Sequence, residues 1–189
     1  MAVRDILQLG NPKLREKCAR VTAPAASEIT TLIDDLRDTL AHSRETTGYG
    51  RGIAAPQIGA LQRVIFIKLP EATRRLEAFA RGVALINPEI VARSEEKMLV
   101  WDACLSFLCI FMQVERHKSV TVRYADTTGA PRELHADAAG DLSELLQHEI
   151  DHLDGILCID RVKDLKTVVT KEEFEKRYRM DSPYAVRAK

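Results

Sequence analysis

The stretch Gln147-His148-Glu149-Ile150-Asp151-His152-Leu153-Asp154-Gly155 decides how this chain folds. Leu142, Leu145, Leu146, Ile150 and Leu153 recur at helical spacing through and before it, which predicts a helix over about 142–153. Two histidines four residues apart then lie one above the other, so both imidazoles can face a single metal ion. Glu149 adjoins the first of them, where its carboxylate can exchange protons with water at such an ion. A random chain of this length would show His-Glu-x-x-His roughly once in a couple of hundred cases. The pattern therefore needs support from elsewhere in the chain.

Two upstream clusters supply it. Gly50-Arg51-Gly52-Ile53-Ala54-Ala55-Pro56-Gln57-Ile58-Gly59 is dense in small residues, which allow the backbone to approach a ligand or another element closely. It lacks the glycine spacing and the Lys-Ser/Thr ending of a phosphate loop. Read alone, it is better explained by a glycine turn leading into the apolar run Arg63–Ile67. The other cluster is Asp102-Ala103-Cys104-Leu105-Ser106. A catalytic zinc-type site takes three protein ligands and leaves one position open, and the histidine pair gives two. Cys104 is the candidate third ligand, although a cysteine in an apolar stretch is more often a small buried residue.

In this order, the three clusters resemble peptide deformylase, whose segments read Gly-x-Gly-Leu-Ala-Ala-Pro-Gln, Glu-Gly-Cys-Leu-Ser and Gln-His-Glu-x-Asp-His-Leu. The likeness begins at Ile6, Pro12 and Leu14-Arg15, passes through Val114–Arg116 and Val120–Asp126, and continues to Asp160-Arg161-Val162. The resemblance implies an α+β fold, antiparallel strands packed around a central metal-binding helix. It implies one divalent ion on Cys104, His148 and His152, with Fe(II) as the native metal and Zn, Ni or Co as replacements; a thiolate in the set suits Fe(II). The reaction it implies is hydrolysis of the N-terminal formyl group from nascent or short formylmethionyl peptides. Glu149 would shuttle the proton, while Gln57 and the backbone N–H of Leu105 stabilise the oxyanion, each donor contributing about 3 kcal/mol. Gly50, Arg51, Gly52, Asp102, Ala103 and Glu144 would bind substrate.

Composition is compatible with this. The chain has 189 residues, enough for one domain, 1–189, with its own core. Lys+Arg and Asp+Glu each total 28, so net charge offers no argument for nucleic acid or an anionic membrane. No apolar run approaches transmembrane length, and the start Met1–Asp5 has neither a signal-peptide core nor the composition of a transit peptide. Four cysteines without a disulfide rhythm read as reduced thiols, and a cytoplasmic location follows.

Periodicity predicts a helix from residue 25 or 27 to about 44, with Ile29, Leu32, Ile33, Leu36 and Leu40 as its stripe. Strands are expected at 64–69, 84–86, 89–92, 99–101, 119–124 and 132–136, with Asp126–Gly129 as a hairpin turn. The stretch 71–82 is expected as a short helical or irregular excursion. A charged helix over about 171–180 closes the chain; it is read as a solvated helix, with transient ribosome contact as the alternative.

Three departures from the family pattern bear on substrate. Asp102-Ala103 replaces Glu-Gly, and an apolar run, Phe107–Phe111, replaces the usual Pro and Gly after Ser106. Arg51 and Glu144 stand where the family lines its methionine pocket; both point to solvent, or they meet as a partly buried pair. Two other functions fit the same residues: an amidohydrolase for another N-formyl or N-acyl substrate, and a non-catalytic binder. Retention of the three ligands with Glu149 and Gln57 speaks against the second.

Overall fold

The computed structural model describes residues 2–69, 77–137 and 142–179. Helix α1 (Ser27–Thr47) ends at Gly48, whose left-handed φ of 76° lets its N–H turn back to the Arg44 carbonyl. Strands β1 (Gly52–Ala54), β2 (Val64–Ile67) and β3 (Val83–Arg93) follow, with the short helix α2 (Glu77–Arg81) before β3. A β4–β5 hairpin (Lys97–Asp102, Ile110–His117) precedes β6 (Val120–Ala125) and β7 (Pro131–Ala136). Helix α3 (Leu142–Leu153), β8 (Val169–Thr170) and helix α4 (Lys171–Arg177) complete the order. All strand pairs are antiparallel, in a five-stranded sheet β1-β2-β3-β6-β7 and a three-stranded sheet β4-β5-β8.

Strand β2 shows how the layers form. All four of its residues are buried, and successive side chains point to opposite faces. Val64 and Phe66 pack with Leu32, Leu36 and Leu40 of α1, while Ile65 and Ile67 pack with Leu145, Leu146 and Ile150 of α3. The five-stranded sheet is thus covered on both faces at β2, and this strand reads as an unbroken apolar run rather than an alternation. Each fully buried Ile, Leu or Phe there contributes about 1.5–3 kcal/mol of apolar burial. Every residue of α3 is buried, including its polar ones.

The expected helices at 27–44 and 142–153 and the hairpin turn at Asp126–Gly129 are found, the turn closed by Gly129 N–H on the Asp126 carbonyl at 2.9 Å. The strands expected separately at 84–86 and 89–92 are one strand, β3, with a register shift between Ile86 and Glu89. Asn87 sits at that shift with φ 53°, and its side-chain amide exchanges two 2.8 Å hydrogen bonds with the backbone of Val21. Strand β5 was not expected. Its inward row is Met112, Val114 and Arg116, and a buried arginine on that row hides the alternation. Residues 71–76 of the expected excursion, and residue 180 of the expected tail helix, lie outside the described residues.

Candidate metal centre

Helix α3 places His148 and His152 one turn apart, with ring centroids separated by 5.0 Å. Cys104 follows the end of β4 in extended conformation and opens the 3-10 turn Leu105–Phe107. One ligand atom from each of Cys104, His148 and His152 lies within 4.8 Å of the other two, and all three residues are buried. Cys104 Sγ is 3.3 Å from His152 Nε2. Tetrahedral bonds of about 2.1 Å to nitrogen and 2.3 Å to sulfur put such atoms roughly 3.5 Å apart, so the trio fits one ion. The Ser106 backbone N–H and Gln57 Nε2 also donate to Cys104 Sγ, at 3.4 and 3.5 Å.

Behind His148 runs a buried chain of charges. Its Nδ1 is 2.8 Å from Asp102 Oδ1, with the ring N–H directed off the line to the oxygen, which leaves Nε2 for an ion. Arg116, almost fully buried, donates to Asp102 at 2.9 Å and to Asp151 at 2.5 Å. Arg161 binds both oxygens of Asp151. Burial works to raise the Asp102 carboxyl, but the charges of His148 and Arg116 outweigh it and hold the group well below the usual carboxylate range. Burial likewise works to lower His148, and the Asp102 carboxylate overcomes it, so this imidazole is raised well above its ordinary value. His152 has no such carboxylate; burial and the neighbouring His148 charge push it well below.

Glu149 is 3% exposed, and its Oε2 has no hydrogen-bond partner among the described residues. Burial pushes its carboxyl up to about 7, a value suited to taking and giving protons near neutrality. Its other oxygen packs against Gly52, where a Cβ would come within 2.5 Å of it, so the glycine makes room for the carboxylate. Gln57 accepts the Ala54 N–H on Oε1 at 2.9 Å, which fixes the amide so that Nε2 points toward Cys104 and Ser106.

A narrow cleft of about 30 Å³ reaches this group of residues. Gly50, Arg51, Gly52, Ala103 and Leu105 line it, as expected, together with Gln57, His148 and Glu149. Two residues expected to bind substrate stand elsewhere. Asp102 is 0% exposed behind His148, where its carboxylate faces the imidazole instead of the cleft. Glu144 is 1% exposed and off the lining; it forms a buried ion pair with Arg51, which does line the cleft. Burial raises the Glu144 carboxyl in spite of that pairing.

Tyr49, Leu108 and Leu145 line the cleft without having been singled out. Leu145 carried a signal, one helical turn before Glu149, and Leu108 lay within the apolar run 107–111 read as bearing on substrate; Tyr49 carried none. A larger groove of about 360 Å³ on the reverse side of α3 is walled by Arg63, Arg161 and Lys163, each already paired with a carboxylate, and none of Cys104, His148 and His152 lines it.

Comparison with known proteins places this geometry. The family model described as polypeptide deformylase matches residues 3–168. A peptide deformylase of Thermomicrobium roseum is 41% identical over 170 residues, spanning 89% of this chain and 90% of that one. One from Methylocella silvestris is 39% identical over 189 residues, covering 100% and 91%. Among solved structures, the peptide deformylase of Ehrlichia chaffeensis in complex with actinonin superposes with a TM-score of 0.77 at 29% identity, covering 95% and 99% of the two chains. The Legionella pneumophila enzyme gives 0.75 at 32% identity over 93% and 92%.

Proposed function

The chain belongs to the polypeptide deformylase family, and from that premise we propose that Cys104, His148 and His152 hold one divalent ion beside Glu149 as the proton carrier. It is a metal-dependent hydrolase that removes the formyl group from N-formylmethionyl peptides. The observation that carries the assignment of residues is the convergence of one thiol and two imidazoles, all buried, within 4.8 Å. The thiolate in this set favours Fe(II) as the native ion, with Zn, Ni or Co able to replace it. Bound there, the ion supplies Lewis-acid chemistry, withdrawing electron density from oxygen and bringing the pKa of water toward neutrality.

The protein's own groups do the rest. Glu149 takes the proton of the attacking water on its carboxylate and passes it to the amine nitrogen as the C–N bond breaks. Formate and a free N-terminal amine leave. Gln57 Nε2, locked by the Ala54 N–H on its other end, donates to the oxyanion. The Leu105 N–H, at the first position of its 3-10 turn, has no partner within the turn and is placed to do the same. Gly50, Gly52 and Ala103 keep the walls of the cleft low enough for a peptide backbone.

We read residues 1–189 as one domain. Helix α4, beyond the matched span, belongs to it because Phe174 is buried against Phe111. No helix among the described residues is long and apolar enough to cross a membrane. The natural place for the reaction is the cytoplasm, on chains leaving the ribosome.

The test is formate release from a formyl-Met peptide by anaerobically purified, iron-loaded protein, beside Glu149→Gln. The variant keeps shape and removes the proton-accepting charge, so it should retain one metal equivalent and lose at least about 100-fold in kcat with little change in KM. Activity within about threefold of the parent would reject Glu149 as the proton carrier.

A further inference from the structure

We propose that the Arg51–Glu144 pair makes this deformylase tolerant of short and polar side chains next to the formyl group, in place of strong selection for the long apolar side chain of methionine. The proposal rests on the deformylase reading above. The formyl carbon must sit among Cys104, His148, Glu149 and Gln57, and the first Cα of the peptide lies only about 2.4 Å from it across the formamide. The side chain on that Cα therefore meets the walls of the same cleft.

Apolar surface is present there in Leu105, Leu108 and Leu145. Among the described lining residues, however, Arg51 carries the one permanent positive charge, and its side chain is 10% exposed. It is tied by a guanidinium nitrogen to Glu144, one helical turn before His148. Glu144 is 1% exposed, and its second oxygen, Oε2, is buried with no hydrogen-bond partner among the described residues. Only Arg51 of the pair lines the cleft, and a guanidinium in the wall favours water or a polar group of the substrate as its neighbour. A long thioether pressed against the pair would exclude water and give no hydrogen bond in return. A methyl side chain leaves room for that water, and a hydroxymethyl oxygen can accept from the guanidinium.

The test uses the full-length, metal-loaded protein and four formyl tripeptides that differ only at the first residue: Met, norleucine, Ala and Ser. A pocket that reads apolar bulk separates such substrates by tenfold to a few hundredfold. Here kcat/KM for Met should exceed that for Ala and Ser by about tenfold or less. A preference for Met of 100-fold or more overturns the proposal. Arg51→Ile combined with Glu144→Leu removes both charges together, so neither is left buried alone. It should move the Met-to-Ser ratio toward Met by at least about tenfold, and an unchanged ratio overturns the proposal. A ratio taken on one preparation cancels any loss of folded or metal-loaded protein. If the double variant does not fold, the parent's profile alone decides. Formate from none of the four peptides overturns the deformylase reading, and this proposal with it.

Discussion

Arg116 ties together the buried charges behind His148. Its guanidinium sits between two buried carboxylates, and one of them, Asp102, faces His148 Nδ1. Arg116→Met keeps the volume but leaves Asp102 and Asp151 without their shared cation. The expected cost is about 3–5 kcal/mol of folding free energy. Metal affinity should fall about 10–100-fold, because Asp102 no longer has a fixed position from which to orient the imidazole. Urea denaturation and competition with a chelator measure the two effects separately. Unchanged affinity in a destabilised variant would show that Asp102 orients His148 without help. Cys104→Ala should abolish stoichiometric metal; retention of a full equivalent would remove the thiolate from the ligand set. At this scale the placement of His148, His152 and Glu149 was legible because it follows from spacing within one helix. Asp102 was not, because its partners at 116 and 148 converge only in three dimensions, and an acidic residue before a cysteine looks the same whether it faces substrate or a histidine.

At the scale of elements, helix α4 props one wall of the cleft. Phe174 of α4 is fully buried and stacks on Phe111 of β5 at a centroid distance of 4.0 Å. Trp101 packs edge-on against Phe174 at 5.4 Å. Tyr49, which lines the cleft, touches Phe111 and donates its hydroxyl to Glu175 at 2.9 Å. Phe174→Ala opens a cavity in this aromatic cluster and should cost about 3–5 kcal/mol. Because Tyr49 loses its support, KM for formyl peptides should rise more than kcat falls. A variant with the full stability loss and unaltered KM would separate α4 from the cleft. The charges of the 171–178 segment announced a solvated helix, and its pattern gave the helix correctly. Its one buried face was less legible, since a single phenylalanine among charges does not reveal that it meets Trp101 and Phe111. Strand β5 stayed hidden for the complementary reason: its inward row ends in Arg116, whose burial makes sense only once both aspartates are in place.

Across the whole molecule, α3 is the element that both sheets share. Its apolar side chains pack on the five-stranded sheet, while Gln147 accepts the His117 N–H at 2.9 Å from the end of β5. The proposed ion adds a second tie, because Cys104 comes from the chain leaving β4 and the histidines come from α3. An ion that binds the folded chain and not the unfolded one stabilises it by about 2.7 kcal/mol when free metal is 100 times its dissociation constant. For a chain of this size each kcal/mol moves the melting temperature by about 2–4 °C, so a chelator should lower it by roughly 5–10 °C. Calorimetry with and without chelator measures the shift. It should vanish in Cys104→Ala, whose melting temperature would be the same under both conditions. An equal chelator response in that variant would mean that the stabilising ion sits somewhere other than between β4 and α3, and the tie between the two sheets would then be protein alone.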